Sequence, residues 1–252
     1  MQGLILAAGR GSRMSALTQA GPKCLVTVGG GTLLARQVAA LRAAGVERIG
    51  VVGGWRAGAL HGRGVEVLHN PDWATTTQVG TLCRAAEWLR AAPTLVSYGD
   101  IAFSPATARR LAACPAPLAL SYDRDWHALW RRRFADPLQD AETFALDEHG
   151  HVCEIGGRPR PDEDIGGQYI GLMRWTPSAW HRYGGVLRAL QSSADGRRVD
   201  MTAALRLLVQ RHYAAIAAVP VDGPWFEFDS ERDVELGTPV IDAIDRLLGA
   251  AA

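Results

Sequence analysis

The sequence predicts an α/β chain built on a mainly parallel sheet. Two observations predict it. Short apolar, β-branched runs alternate with helical periodicity through the first hundred residues, and 252 residues at 48% hydrophobic content suffice to bury a sizeable core.

The elements follow in order. Gly3 to Ala8 carries Leu4, Ile5 and Leu6 and ends at Gly9, which reads as a buried strand. Leu34, Val38 and Leu41 recur at helical spacing, with Arg36 and Arg42 off the stripe and Gly45 as a C-terminal cap. Ile49 to Val52 and Val65 to Leu68 read as strands, Thr77 to Ala91 as helical, and Thr94 to Tyr98 as a strand running into Gly99-Asp100. From residue 117 the rhythm changes. Leu118 to Tyr122, Thr143 to Leu146, Val152 to Ile155 and Gln168 to Leu172 look like strands with few helices between them, which predicts a β-rich insertion against the first half. Trp180, Tyr183, Leu187 and Leu190 mark a helix weakened by Gly184-Gly185, and Met201, Leu205, Leu208 and His212 mark another. A strand near Ile216 to Val221, the piece WFEFDS and an amphipathic helix around Val240 to Leu248 close the chain. Without repeats or a low-complexity linker, residues 1–252 read as a single domain with halves 1–116 and 117–252.

Composition narrows the partners. Basic and acidic residues number 27 and 26, so no global field points to nucleic acid or to an anionic membrane, and a small molecule is expected instead. Cys24, Cys83, Cys114 and Cys153 are scattered without a CxxC pair, which argues for a reducing, cytoplasmic compartment. No apolar run approaches the ~18 residues of a membrane span, and the start lacks a cationic leader, so the first residues are read as part of the fold. The reading allows a homodimer.

The chemistry concentrates in LILAAGRGSRM and GPKCLV. Small residues and glycines after a strand let backbone N–H groups approach a phosphate chain. A dinucleotide fingerprint fails because Met14 stands where a third glycine is needed, and no GxxxxGK(S/T) exists. Arg13 in the turn and Lys23 after Pro22 are two cations suited to a triphosphate. An isolated GxG would be a surface turn with solvated arginines; the added arginine and PK tip the balance. Asp100 sits where a strand ends, and in WFEFDS Phe226 and Phe228 face one side with Trp225, Glu227 and Asp229 on the other. A hard cation such as magnesium needs only one or two carboxylates when phosphates supply the rest, which Asp100 and Asp229 could provide. Either aspartate alone would more often be a turn or helix cap.

At these residues the chain resembles the nucleotidyltransferases that join a nucleoside triphosphate to a sugar phosphate or phosphoalcohol and release pyrophosphate. Their pattern, LAAGxGxR followed by PKxL, stands here as LAAGRGSR and PKCL. The resemblance implies a Rossmann-like, GT-A-like fold, with Leu6, Ala8, Gly9, Gly11 and Ser12 around the nucleotide and Arg13 and Lys23 as catalytic cations. It also implies magnesium on Asp100 and Asp229, with Glu227 as a further candidate ligand, and Asp100 beside the nucleotide. The base would be read from NPDWATTTQVGTL, by Thr77 and Thr81 or alternatively Gln78, although relatives often show asparagines there. Residues 1–116 become the nucleotide half and 117–252 the acceptor half.

A second stretch, DRDWHALWRRRFADPLQDAET followed by GGQYIGL, is similar to the bacterial CTP:phosphoglutamine cytidylyltransferases that supply activated groups for capsule modification. That likeness implies CTP and a small phosphorylated amino compound, with Arg133, Glu142, Gln168 and Tyr169 near the acceptor and Asp123, Asp136 or Glu142 meeting its ammonium. Phosphocholine and 2-aminoethylphosphonate are the kindred acceptors. The competing readings are a sugar-1-phosphate nucleotidyltransferase using UTP or dTTP, a nucleotide-sensing module without chemistry, and a glycosyltransferase whose DxD would be Asp123 to Asp125. Arg131 to Arg133 taken alone would be a solvated face, and His149 and His151 near Cys153 read as a hairpin turn rather than a metal pair.

Overall fold

Leu4 to Ala8 are all buried, and a strand buried on both faces must lie inside a sheet rather than at its edge. The computed structural model describes residues 1–14, 17–160 and 165–250. In chain order the elements are β1 (Gln2–Ala7), β2 (Thr27–Val28), β3 (Gly31–Thr32), α1 (Leu33–Ala43), β4 (Arg48–Gly53), β5 (Glu66–His69), α2 (Gln78–Arg84) and α3 (Ala86–Ala91). There follow β6 (Thr94–Tyr98), β7 (Ile101–Phe103), α4 (Pro105–Ala112), β8 (Leu118–Asp123), α5 (Trp126–Arg133), β9 (Phe144–Leu146) and β10 (Val152–Ile155). The chain ends with β11 (Gln168–Trp175), α6 (Pro177–Leu190), α7 (Met201–His212), β12 (Ala217–Pro220), β13 (Trp225–Glu227) and α8 (Glu231–Gly249).

Seven strands form one sheet in the order β12-β8-β11-β6-β1-β4-β5. β1 pairs in parallel with β4 and β6, and β11 alone runs antiparallel, between β6 and β8. The expected α/β fold is therefore present.

The stretch expected as a β-rich insertion divides. β8 and β11 join the main sheet, and only β9 and β10 pair off it as a separate hairpin. The reason is burial: every residue of β8 is buried, so it cannot lie on a surface, and β11 is buried at all but one position. Strand-like sequence does not name its partner.

Helices carry the other differences. α4 was not anticipated, although Ser104 caps it by accepting from the Thr107 N–H and Pro105 opens its first turn. α5 occupies the segment read as strand-rich and buries Trp126, Trp130 and Arg133 on one face. α8 begins nine residues earlier than expected and runs through Pro239, its start fixed by a capping box between Ser230 and Asp233. α6 continues through Gly184 because the Trp180 ring packs there; a Cβ on Gly184 would lie 2.8 Å from it.

Two cores result. The larger one surrounds the sheet, and a smaller one gathers Met14, Val26, Val28, Phe226, Phe228 and Ile241, tying the glycine turn and the WFEFDS piece to α8.

Candidate active site

Three separate chain segments converge at the carboxyl ends of β1 and β6. The first is the glycine turn. Gly11 has φ +66, which a side chain disfavours, and a Cβ there would press on Lys23 at 3.2 Å. Met14 is fully buried and anchors the turn, while the Thr18 hydroxyl donates to the Gly11 and Met14 carbonyls, so Arg13 is left projecting with its side chain 74% exposed.

The second and third segments meet through the small sheet of β7 and β13. Glu227 pairs with Ile101 across it, and the Phe228 N–H donates to the Asp100 carbonyl at 2.9 Å. This antiparallel ladder brings the 227–229 carboxylates beside Asp100. The alternation of WFEFDS is realised as the pattern required: Phe226 and Phe228 are buried in the small core, while Glu227 and Asp229 face a cavity.

Lys23 closes the arrangement. Its Nζ donates to Asp100 Oδ2 at 2.9 Å and to Asp229 Oδ1 at 2.5 Å. Burial works against the Lys23 charge, but Asp100 and Asp229 outweigh it and hold the ammonium above the ordinary lysine pKa. Asp229 is conversely held below the usual carboxylate range: burial opposes its charge, and Lys23, Arg13 and Arg133 more than compensate. Burial first, and then the Asp229 carboxylate, pushes Glu227 upward.

These groups share a cavity of about 390 Å³. Leu6, Ala8, Gly9, Gly11 and Ser12 form its glycine-turn wall, with Arg13, Lys23, Asp100, Glu227 and Asp229 at one side and Thr77, Gln78 and Thr81 opposite. The two threonines differ from expectation in one respect. Thr77 donates its hydroxyl to the Val199 carbonyl at 2.6 Å while capping α2, and Thr81 donates to the Thr77 carbonyl at 3.0 Å. Both hydroxyl hydrogens already have acceptors within the protein, so a base would compete with these bonds. Gln78, the alternative, lies in the wall.

A second cavity of about 220 Å³ adjoins the first and shares Arg13, Gln78, Tyr98, Glu227 and Asp229 with it. Glu142, Gln168 and Tyr169 line it as the acceptor reading requires. The Gln168 amide is nevertheless committed to backbone, accepting from the Glu142 N–H at 3.0 Å and donating to the Glu142 carbonyl at 2.6 Å, so it fixes Glu142 in place. Tyr169 stands edge-on to Tyr98, and Gly171, at φ +81, provides the bulge that lets β11 pass the Tyr98 ring.

Arg133 corrects the sequence reading. Its side chain is 1% exposed, and it binds Glu227 at 2.9 Å, Asp233 at 3.0 Å and Asp229 at 3.7 Å. It lines neither cavity; it braces the acids instead. Asp123 and Asp136 are likewise absent from either wall: Asp123 accepts from the Trp225 indole at 2.8 Å and Asp136 from the Leu138 N–H.

The family model for the MobA-like NTP transferase domain matches residues 3–152, from β1 to the start of β10. The chain belongs to that family. It is a nucleotidyltransferase. A CTP:phosphoglutamine cytidylyltransferase of Campylobacter jejuni is 30% identical over 251 residues, covering 94% of this chain and 98% of that protein. A bifunctional IPC transferase and DIPP synthase of Rubrobacter xylanophilus is 31% identical over 94% of this chain and 51% of its own length. Among solved structures, the inositol-1-phosphate CTP transferase from T. maritima superposes with a TM-score of 0.76 at 18% identity, covering 100% of this chain and 97% of that one, which shows the shared fold.

In this MobA-like transferase Asp100, Glu227 and Asp229 form the one metal-competent group among the described residues, their ligand atoms all within 4.8 Å of one another. Asp100 Oδ1 is buried with no hydrogen-bond partner. Three hard oxygen donors with an unsatisfied atom among them fit a divalent cation. The DRD alternative does not fit, because Asp123 is engaged with Trp225, and His149 and His151 lie in a turn organised by Asp147. Sequence reasoning missed Asp140, Asp200 and Tyr98 of the second cavity. The run LQDAET contained the signal for Asp140; nothing local marked Asp200 beyond its role as the cap of α7.

Proposed function

We propose that the chain transfers CMP from CTP to a small phosphorylated amino compound and releases pyrophosphate. The observation that carries this reading is the meeting of Lys23, Asp100, Glu227 and Asp229 with the glycine turn in one cavity that opens into a second, acidic and aromatic one. The 30% identical phosphoglutamine cytidylyltransferase supports CTP and an amino acceptor.

Residues of the 1–116 half hold the nucleotide, and residues of the 117–252 half receive the acceptor. The acceptor's phosphate or phosphonate oxygen attacks the α-phosphorus in line, forming the new P–O bond as the α,β-anhydride bond breaks and pyrophosphate leaves. Glycine-turn N–H groups and Arg13 meet the triphosphate. Lys23, already between Asp100 and Asp229, balances charge on the leaving group. Asp100 and Asp229, with Glu227 as a third donor, are the residues that would hold magnesium, whose chemistry is to polarise the phosphoryl oxygens and align the reactants. The reading includes a cytoplasmic setting, suited to four free cysteines, and a role in capsule or cell-surface modification.

The test offers each of the four nucleoside triphosphates with a panel of small phosphorylated acceptors and measures pyrophosphate and product mass. A CMP-linked amino product is expected. Turnover of hexose 1-phosphates with UTP or dTTP, with every amino acceptor ignored, replaces this reading by a sugar-nucleotide one. Nucleotide binding without pyrophosphate leaves a sensing module.

A further inference from the structure

The residues that line both cavities are Arg13, Gln78, Tyr98, Glu227 and Asp229. They mark the junction, where an attacking oxygen held in the second cavity would meet an α-phosphorus held in the first. Two of them are carboxylates. An anionic phosphoryl group arriving there therefore needs hydrogen-bond donors in the wall.

Buried cations are claimed by the acids at this point in the fold. Lys23 sits between Asp100 and Asp229, and Arg133 is taken by Glu227 and Asp233. Several neutral side-chain donors of the second cavity are committed as well: the Trp130 indole to Asp140 at 3.1 Å, the Trp225 indole to Asp123 at 2.8 Å, the Gln168 amide to backbone, and the Thr202 hydroxyl to Glu142 at 3.0 Å. Arg13, Gln78, Tyr98 and Tyr169 remain among the described residues. Arg13 is 74% exposed and Gln78 is exposed at the start of α2, so a ligand must order both.

The two phenols are already fixed. Tyr98 ends β6, two residues before Asp100, and the φ of +81 at Gly171 makes room for its ring: a Cβ on Gly171 would lie 2.7 Å from Tyr98 Cδ2. The Tyr169 ring stands edge-on to it, with centroids 5.8 Å apart. Its hydroxyl oxygen is buried and has no hydrogen-bond partner, an arrangement that costs free energy until something accepts from it. A phenol is uncharged near neutral pH, so the neighbouring acids cannot hold it as an ion pair. Resting on the nucleotidyltransfer reading, we infer that Tyr98 and Tyr169 donate hydrogen bonds to the acceptor's phosphoryl oxygens and hold them at the junction of the two cavities. The phenols give up no proton; they position the group whose oxygen attacks. The role is the same whatever the acceptor carries at its other end.

Tyr98→Phe and Tyr169→Phe keep the rings and remove the hydroxyls. Each is assayed with magnesium on three acceptors: phosphoethanolamine and phosphoglutamine with CTP, and glucose 1-phosphate with UTP. On whichever of these turns over, the acceptor KM should rise about tenfold in each variant, the scale of a hydrogen bond to a charged oxygen, while the KM for the triphosphate holds. The unfolding midpoint of Tyr169→Phe should match or exceed wild type, because the lost hydroxyl has no partner within the protein; a hydroxyl kept for structure would lower it. A wild-type acceptor KM in either folded variant overturns the inference and leaves nucleotidyltransfer standing, as does a rise confined to the triphosphate KM. Turnover of glucose 1-phosphate alone ends the amino-acceptor reading, and the same KM comparison then decides the role of the phenols. Absence of pyrophosphate from the unmodified chain with all triphosphates and all acceptors removes the transferase reading and this inference with it.

Discussion

Lys23 Nζ lies 2.5 Å from Asp229 Oδ1, joining residues 206 positions apart in the chain, and the same ammonium reaches Asp100 at 2.9 Å. A single cation thus spans two carboxylates delivered by different strands. Any group that Asp100 and Asp229 hold is within reach of Lys23.

Removing one member of this triplet should act on chemistry more than on folding, since all three side chains border a cavity. Lys23→Ala, Asp100→Ala and Asp229→Ala are each expected to lower turnover by at least ~10²-fold, the scale of one preorganised electrostatic group. Pyrophosphate release alongside circular dichroism checks it. Normal release from a folded variant would take that residue out of the mechanism.

Chelation should abolish activity and magnesium should restore it, because the ligand set is all oxygen. Full turnover in excess chelator would sink the metal assignment.

Thr77→Ala should cost about 1 kcal/mol of stability, the usual worth of an N-cap, because its hydroxyl caps α2 and is bound to Val199. The preference for CTP over UTP should persist. A stable variant that loses that preference would return Thr77 to base reading.

The glycine turn was legible because its function is local: LAAGRGSR and PKCL carry their spacing in the sequence. The alternation of WFEFDS was legible for the same reason. Its proximity to Asp100 was not, since it depends on β13 pairing with β7 more than a hundred residues away. Arg133 was read as an acceptor ligand because an arginine beside two tryptophans suits a phosphate or carboxylate. The informative pattern was Trp126, Trp130 and Arg133 at i, i+4 and i+7, one buried face of α5.

The cysteines give a chemical check on the cavity walls. Burial, then the nearby Asp100 carboxylate, pushes the Cys24 thiol up to about 12, and burial pushes Cys83 up to about 11. At pH 8 only roughly one part in 10⁴ of Cys24 is thiolate, and the thiolate is the nucleophile. Iodoacetamide should therefore label exposed Cys153 and spare Cys24, read by peptide mass spectrometry. Equal labelling of the two would mean that the floor beneath Lys23 is open to solvent.

Arg133→Met separates the brace seen here from an acceptor-binding arginine. The guanidinium is buried among Trp130, Phe134 and Phe226 and meets Glu227, Asp229 and Asp233. Asp233 in turn accepts from the Asp229 N–H at 3.0 Å and the Ser230 N–H at 2.8 Å, so the arginine supports both the carboxylates and the start of α8. Methionine would preserve much of the packing but leave Glu227 and Asp233 without their cation. Breaking one side of a buried ion pair typically costs about 3–5 kcal/mol, and a loss of that size is expected in denaturant unfolding. An acceptor-binding arginine would behave in the opposite way, raising the acceptor KM while stability stayed near wild type. Glu142→Gln supplies the control, because Glu142 lines the acceptor cavity. Its KM should rise with little change in unfolding midpoint. If Arg133→Met unfolds like wild type and only the acceptor KM moves, the brace is wrong and the arginine belongs to the acceptor site.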